Sequence, residues 1–187
     1  MSQPQDDTAR ASVISSLYIQ ALRQGEALWF RVVSGSMNPT LHIGDVVRIE
    51  PTMANAVRVG EIAAFETPKG LIIHRIVQRE SIGTNARFLE MGEVDLRASW
   101  VETPAVVGRA VAVCHSTHQI DLQHPIAKRW GKVTANLRYR LYRIHNSKRF
   151  SSLRVLSRRC SRLAVQICYW RIRSSKALSV CEPLPVD

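Results

Sequence analysis

Long apolar runs are missing from this chain of 187 residues. A membrane-spanning helix needs about 20 consecutive, mostly apolar residues, and no stretch approaches this length. The first residues, MSQPQDDTAR, are polar and partly acidic, whereas a secretory signal begins with basic residues and an apolar segment. The sequence therefore predicts neither a transmembrane anchor nor export. It favours a protein that is cytoplasmic or peripheral on the cytoplasmic face of the membrane.

Cysteine is also scarce, with 4 residues in the whole chain. No two of them form a CxxC pair, and no histidine stands at zinc-ligand spacing with them, so neither a disulfide scaffold nor a zinc site is expected. The chain also lacks a glycine-rich phosphate loop and alternating β–α units. We therefore expect reduced thiols in a reducing compartment, no metal and no cofactor.

Acidic residues are nearly absent from the last third of the chain. Residues 122–187 hold 15 Lys and Arg against 2 Asp and Glu, while residues 1–121 hold 11 against 13. Such an imbalance predicts a polyanionic partner for the C-terminal part. Three interpretations stay open. The helices could pack on their own body, they could attach to an anionic membrane surface, or they could bind nucleic acid, which is less favoured because no recognised motif occurs.

The middle of the chain consists of short β-rich runs between turn signals. The predicted strands are residues 29–33, 45–50, 61–66, 71–80, 86–91, 106–113 and 118–122. Seven short strands with no helix between them indicate an antiparallel, barrel-like or sandwich-like β domain. Apolar residues at helical spacing within residues 11–30 predict an amphipathic helix before the strands.

After Pro125, apolar residues recur in steps of three and four, and arginines occupy the other faces. This pattern predicts two basic amphipathic helices with a break near His145–Ser147. We therefore expect three parts in the chain. Residues 1–26 form a tail and amphipathic helix, residues 27–122 form the β domain, and residues 123–187 form a basic helical extension.

The most informative segment is residues 34–45, SGSMNPTLHIGD, which puts Ser36 on a tight turn after a predicted strand. Gly35 permits the turn geometry and Pro39 stiffens its exit, so the serine hydroxyl can be exposed at a strand end. The string resembles the serine box of type I signal peptidases, S-x-S-M-x-P-T-L followed by G-D. The matching positions are Ser34, Ser36, Met37, Pro39, Thr40, Leu41, Gly44 and Asp45.

Three further segments resemble the same family, in the same order. GEIAAFETPKGLIIHRIV is similar to the family's G-D-I-V-x-F … H-R-V-V region, RFLEMGEVDL to its F-x-T-K-G-D box, and VVGRAVAV to its V-x-G-R-V strand. The resemblance spans residues 27–122 and implies a mainly β, signal-peptidase-like domain. His74 stands where the common bacterial enzymes have Lys, which resembles the Ser–His branch. Soluble bacterial relatives with an arginine-rich extension and no anchor share this layout.

The resemblance implies acyl transfer at a serine. Ser36 would be the nucleophile and His74 the base that takes its proton. The Ser34 hydroxyl and the Ser36 backbone N–H would form the oxyanion hole, while Asp45 would brace the turn.

The acidic partner of the base is matched less well. Glu93 stands at the first acidic position of the family box, directly after a glycine, and Asp95 follows two residues later. Either Glu93 or Asp95 is therefore expected to orient the histidine, or the triad is incomplete, which would reduce activity without abolishing it. Lys69 lies in a Pro-Gly turn and is a poor alternative base.

The leading interpretation is a serine endopeptidase of the signal-peptidase type that binds an extended peptide or protein segment as an added strand. Two alternatives stay open. One is a catalytically degenerate peptidase fold that serves as a peptide or membrane adaptor. The other is a self-cleaving regulator, which would need a lysine base and a DNA-binding module for which the N-terminal segment is too short.

Overall fold

The computed structural model describes residues 4–68, 70–82, 85–116, 118–147, 154–174 and 178–180. The helices are α1 (Pro4–Arg23), α2 (Pro125–Asn146) and α3 (Arg154–Arg173). The strands are β1 (Leu28–Arg31), β2 (Val46–Glu50), β3 (Ile62–Thr67), β4 (Gly70–Ile82), β5 (Asn85–Met91), β6 (Ala98–Glu102), β7 (Val106–His115), β8 (His118–Asp121) and β9 (Leu178–Val180). All seven predicted strands are present, so the mainly β fold with flanking helices is confirmed.

The strands form one antiparallel sheet that curves into a half-barrel. Its order is β1-β2-β7-β3-β4-β5-β6, and β8 extends from β7 to pair with β9. The pairing of β3 with β7 and of β2 with β7 brings the end of the chain's β region back between its early strands. As a result, β4 and β5 lie beside the turn that follows β1, where the candidate serine stands.

Two strands were not predicted from the sequence. The side chains of β6 are mostly exposed, without one face that alternates into the core, so the two-residue period is missing there. Strand β9 comes from the basic C-terminal part, where the sequence pattern indicates helices, and within the described residues it pairs with β8. Both strands are therefore set by tertiary pairing rather than by a local pattern.

Helix α1 ends at Arg23, before the end of the segment 11–30 in which the helix was predicted. Gly25 has a φ of 97°, and the N–H of Glu26 donates to the carbonyl of Ala21 over 3.0 Å, which is a glycine-terminated helix end. Ile19 and Leu22 are buried in a core cluster with Val47 and other β residues, so the helix covers one opening of the half-barrel.

Helix α2 packs on the sheet through small residues. Its buried positions are Ala127, Gly131, Thr134, Ala135 and Arg138. A side chain at Gly131 would approach the Gly60 carbonyl oxygen to 2.6 Å, so only glycine allows this contact between helix and sheet. The apolar stripe of the helix, in contrast, includes exposed Ile126, Val133, Leu137 and Ile144. The break between α2 and α3 falls at the predicted position, and the two helices pack on each other.

The predicted division into residues 1–26, 27–122 and 123–187 stays a prediction. Cys114, Cys160 and Cys168 form no disulfide within the described part of the chain, while Cys181 lies outside it. In the same described part, no helix is both long enough and apolar enough to cross a bilayer.

Candidate active site

The candidate nucleophile lies in a loop, residues 32–45, whose two ends are joined. The N–H of Val32 donates to the Asp45 carbonyl over 2.8 Å, and the N–H of Gly44 donates to the Val32 carbonyl over 2.9 Å. Between these ends, Met37 and Leu41 are buried in the main core cluster. The loop is thus fixed at its base and in its middle, and Ser36 lies half-buried at its surface.

The backbone of Ser36 is held by the segment that follows β5. Its carbonyl accepts hydrogen bonds from the N–H of Glu93 at 2.6 Å and from the N–H of Val94 at 3.2 Å. Gly92 allows this approach, since a Cβ there would lie 2.9 Å from the Ser36 carbonyl oxygen and 3.3 Å from Nε2 of His74. The glycine of the box therefore has a steric role at the site.

His74 lies on β4, opposite Ala63 of β3. Its Nε2 is 3.2 Å from Oγ of Ser36, which is a hydrogen-bond distance although the two residues are 38 positions apart. Its Nδ1 hydrogen-bonds a carboxylate oxygen of Glu90 on β5. The structure therefore joins hydroxyl, imidazole and carboxylate in one line, which is the geometry of a nucleophile, a base and an orienting acid.

Glu90 reaches the imidazole because of strand register. It pairs with Ile76 on β4, two positions after His74, so the glutamate is a diagonal neighbour of His74 on the same face of the sheet. Its side chain is 7% exposed, against 20% for that of His74. Glu90 was not among the residues predicted from the sequence, because its place beside His74 depends on the register between β4 and β5, which is irregular between Ile76 and Gln78.

In the structure, the two acids predicted from the sequence, Glu93 and Asp95, pair with arginines rather than with His74. Glu93 is completely buried and pairs with Arg75, whose Nε donates to Oε1 over 2.7 Å. The same glutamate accepts a hydrogen bond of 3.3 Å from the N–H of Thr40. A buried arginine needs such a partner, so the carboxylate of Glu93 is committed to neutralising that charge. Asp95 forms an ion pair of 2.9 Å with exposed Arg97.

Two further residues of the serine loop, Ser34 and Asp45, were predicted to support the site. The hydroxyl oxygens of Ser34 and Ser36 are 3.4 Å apart. Asp45 is buried and accepts a hydrogen bond of 2.8 Å from the N–H of His42, which closes the end of the loop. Their roles in catalysis stay predictions. Lys69, the alternative base, lies outside the described residues.

A buried arginine from the basic extension holds the same segment that binds Ser36. Arg138 of α2 donates to the carbonyls of Gly92 over 2.5 Å and of Glu93 over 3.0 Å, and also to the carbonyl of Asp95. Burial lowers the pKa of Arg138 to about 10, and nearby Glu93 opposes that shift, so the side chain stays charged at neutral pH. The basic extension is therefore part of the site's architecture, a role that its charge pattern did not indicate.

Two clefts meet at the Ser36–His74 pair. One, of about 550 Å³, is lined by apolar residues of α1, β1 and β4, including Tyr18, Phe30 and Ile73. The other, of about 590 Å³, is bordered by Glu90 and by residues after β5. The serine and the histidine line both clefts, so an extended peptide lying across the two clefts would pass the hydroxyl of Ser36. The site is open to an extended ligand on two sides.

Comparison with known proteins finds one family model and several relatives that match part of the chain. A family model described as Peptidase S24-like matches residues 3–85, which include Ser36 and His74 but not Glu90. The signal peptidase complex catalytic subunit SEC11C of Homo sapiens is 36% identical over 92 residues, covering 42% of this chain and 47% of the relative. The SEC11C of Canis lupus familiaris matches equally.

A third relative has a similar match. The putative signal peptidase complex catalytic subunit SEC11B of Homo sapiens is 35% identical over 91 residues, which cover 42% of this chain and 55% of the relative. The chain spans about half the length of the curated relatives it matches. Together these similarities support a relationship to the signal-peptidase-like superfamily.

Proposed function

We propose that the chain is a serine endopeptidase of the Ser–His type, with Ser36 as nucleophile, His74 as base and Glu90 as the acid that orients the base. The supporting observation is the hydrogen-bonded line from Oγ of Ser36 through His74 to the Glu90 carboxylate. An imidazole placed between a hydroxyl and a buried carboxylate is the arrangement that activates a serine for acyl transfer.

In the proposed reaction, Nε2 of His74 accepts the proton of Ser36 as Oγ forms a bond to the peptide carbonyl carbon. The C–N bond then breaks while the imidazolium gives its proton to the leaving amine, and an acyl-serine remains. Water repeats the sequence: it loses a proton to Nε2, attacks the acyl carbon and releases Ser36. Glu90 holds the Nδ1–H tautomer and stabilises the imidazolium without itself taking the proton.

The oxyanion of the tetrahedral intermediate needs donors beside Oγ. We assign this role to the Ser34 hydroxyl, whose oxygen is 3.4 Å from Oγ of Ser36, together with the Ser36 backbone N–H. The clamp from Glu93 and Val94 onto the Ser36 carbonyl fixes the orientation of this turn. Removal of one such donor commonly lowers the rate by about 10²–10³.

The proposed substrate is an extended peptide or protein segment that crosses both clefts. Apolar side chains of Phe30, Val32 and Ile73 line the cleft of about 550 Å³, which suits a small or apolar side chain of the substrate. An extended segment also allows main-chain hydrogen bonds to a strand, which give affinity without strict sequence preference.

A peptide library with mass-spectrometric readout tests this proposal. The full chain should cut extended peptides at defined bonds, while Ser36→Ala should leave the library intact. Ser81→Ala is the matched control, because Ser81 is an exposed serine near the end of β4 and lines neither cleft. An intact library with the wild-type chain would favour the adaptor interpretation, and equal cleavage by Ser36→Ala would remove Ser36 from the mechanism.

We also propose that α2 and α3 attach the protein to an anionic membrane surface. Exposed apolar side chains form one stripe on each helix. The exposed residues are Ile126, Val133, Leu137 and Ile144 on α2 and Leu163, Ile167 and Trp170 on α3, each at least 36% exposed. Among the described side chains, both helices also carry exposed arginines, namely Arg129, Arg140 and Arg143 on α2 and Arg171 and Arg173 on α3. A basic helix with such a stripe binds anionic bilayers through both charge and apolar burial.

A further inference from the structure

We propose that His42, Asp45 and His115 form a binding site for a divalent transition-metal ion, with Zn²⁺ as the best fit. The site is distinct from the Ser36–His74 pair, and its residues belong to the serine loop and to the end of β7. One potential ligand atom from each residue lies within 4.8 Å of those of the other two. Two imidazoles and one carboxylate, with a further position open, are a common donor set for zinc.

One of the two ligand distances suits a metal ion between the side chains, and the other would lengthen by about 0.7 Å on metal binding. At ordinary zinc bond lengths, neighbouring ligands of a tetrahedral ion lie about 3.3 Å apart. Nδ1 of His42 is 3.6 Å from one oxygen of Asp45, close to that separation. Nδ1 of His115 is 2.6 Å from the other oxygen, which is a direct hydrogen bond. Metal would take the place of the proton in this bond, because binding requires a neutral imidazole nitrogen with a vacant lone pair.

A buried and unpaired nitrogen points to a ligand. Among the described residues, Nδ1 of His42 is shielded from solvent and has no hydrogen-bond partner. Native structures rarely leave a buried polar atom in this state, because it loses its bond to water without gaining another. The carboxylate of Asp45 lies nearby, but it is too far away for a hydrogen bond to this nitrogen. A metal ion between the two would satisfy the nitrogen and the carboxylate together.

The three side chains differ in exposure in a way that suits a metal site. The side chain of Asp45 is 5% exposed, while those of His42 and His115 are 33% and 30% exposed. The buried carboxylate supplies a fixed negative charge, and the partly exposed imidazoles leave a path for the ion. The ring of Tyr169 on α3 covers His42 at a centroid distance of 5.7 Å. Part of the basic extension therefore walls the site.

Sheet pairing explains why the sequence pattern did not predict this site. His42 and Asp45 are three positions apart, but His115 is a further 70 positions along the chain. Pairing of Val46 with Cys114 between β2 and β7 brings the third ligand to the first two. No metal was predicted from the sequence because no histidine stands at zinc-ligand spacing with a cysteine, and that criterion does not detect a site made of two histidines and an aspartate. In the proposed site, the ion would fasten the end of the serine loop to β7.

Zinc titration of the full chain without an affinity tag tests the site, with a chromophoric chelator as competitor. The account predicts one tightly held Zn²⁺ per chain, and a loss of affinity of tenfold or more in His42→Gln and in His115→Gln. His145→Gln on α2 is the matched control and should leave the affinity unchanged. Equal affinity in the wild type and both site variants would overturn the proposal. So would a loss of affinity in His74→Gln alone, which would assign the ion to the candidate active site.

Two further measurements guard against misfolding and against binding by cysteine. The metal-free variants should unfold near the wild-type temperature, while Zn²⁺ should raise the midpoint of the wild type and not of His115→Gln. With Co²⁺ in place of Zn²⁺, the proposed oxygen and nitrogen ligands predict d–d absorption without a thiolate charge-transfer band. A thiolate band, or an equal midpoint rise in both proteins, would contradict the assignment.

Discussion

The β body and the basic helices differ in how well their sequence patterns predict which residues are buried. In the body, β2 alternates between buried and more exposed residues, while β3 and β7 are nearly continuous buried runs, so the sequence pattern indicates directly which residues are in the core. In α2, the apolar stripe is largely exposed, and the face that packs on the sheet consists of small residues and Arg138. A strong charge pattern therefore indicated a partner for the helices but not their contribution to the site.

The candidate site joins the two regions. The body supplies hydroxyl, imidazole and carboxylate, and the helices supply the guanidinium that holds the segment against Ser36. If this division is right, changes in the body should remove the reaction, while changes at the buried face of α2 should weaken both fold and reaction. Changes at the exposed stripe should affect neither.

The largest effect is expected from the body residues that react. Ser36→Ala and His74→Ala should each lower kcat for peptide cleavage by roughly 10⁴–10⁶, and the double variant should lose little more, because the pair acts as a unit. Cleavage rates and the thermal midpoint should be measured together. Multiplicative losses in the double variant would mean that the two residues act independently.

The next effect distinguishes the three acids. Glu90→Gln should lower kcat by roughly 10⁴, because the amide no longer fixes the required tautomer. Asp95→Asn should leave kcat within a fewfold, since its carboxylate pairs with exposed Arg97. If Asp95→Asn loses more rate than Glu90→Gln, the assigned geometry is not the one used in the reaction.

Glu93→Gln should act mainly on stability. It leaves the buried guanidinium of Arg75 without its countercharge, which commonly costs about 3–5 kcal/mol. The free energy of unfolding from urea titration measures this loss, and kcat of the folded fraction should change far less than in Glu90→Gln. An unchanged unfolding free energy would show that the Arg75–Glu93 pair is not required.

Arg138→Met tests the link between the regions. The variant leaves three carbonyls after β5 without their donor, and a loss of about 2–4 kcal/mol in unfolding free energy is expected, with a lower kcat. Arg140→Met is the matched control, because that arginine is on the same helix and exposed. Equal effects of the two substitutions would remove the special role of Arg138.

The smallest effect on the fold is expected at the exposed stripe. Leu137→Asp should reduce binding to anionic vesicles at low salt without changing kcat on a soluble peptide, because Leu137 is 36% exposed. Asn136→Asp introduces the same charge at an exposed neighbour and serves as the control. Vesicle sedimentation measures both. Binding to RNA but not to vesicles would replace the membrane proposal with the nucleic-acid one.

The sequence predicted the strands of the β body better than the long-range contacts that Glu90 and Arg138 make at the candidate site. Short β-rich runs were enough for seven strands, and the resemblance to the signal-peptidase boxes named Ser36 and His74 as the candidate pair. Glu90 depends on a register between β4 and β5 with an irregularity between Ile76 and Gln78, which no local pattern encodes. Arg138 depends on the docking of α2 by close contact at Gly60 and Gly131. Such long-range contacts are not visible in spacing along the chain.

The most direct measurement is the rate at which a serine-directed phosphonate probe labels Ser36, followed by mass spectrometry of the peptide that contains it. The account predicts labelling at Ser36 in the wild type and in Asp95→Asn. It also predicts that labelling is slowed by orders of magnitude in His74→Ala and in Glu90→Gln. Labelling of another serine, or equal rates at Ser36 in all four proteins, would contradict a peptidase built on Ser36, His74 and Glu90.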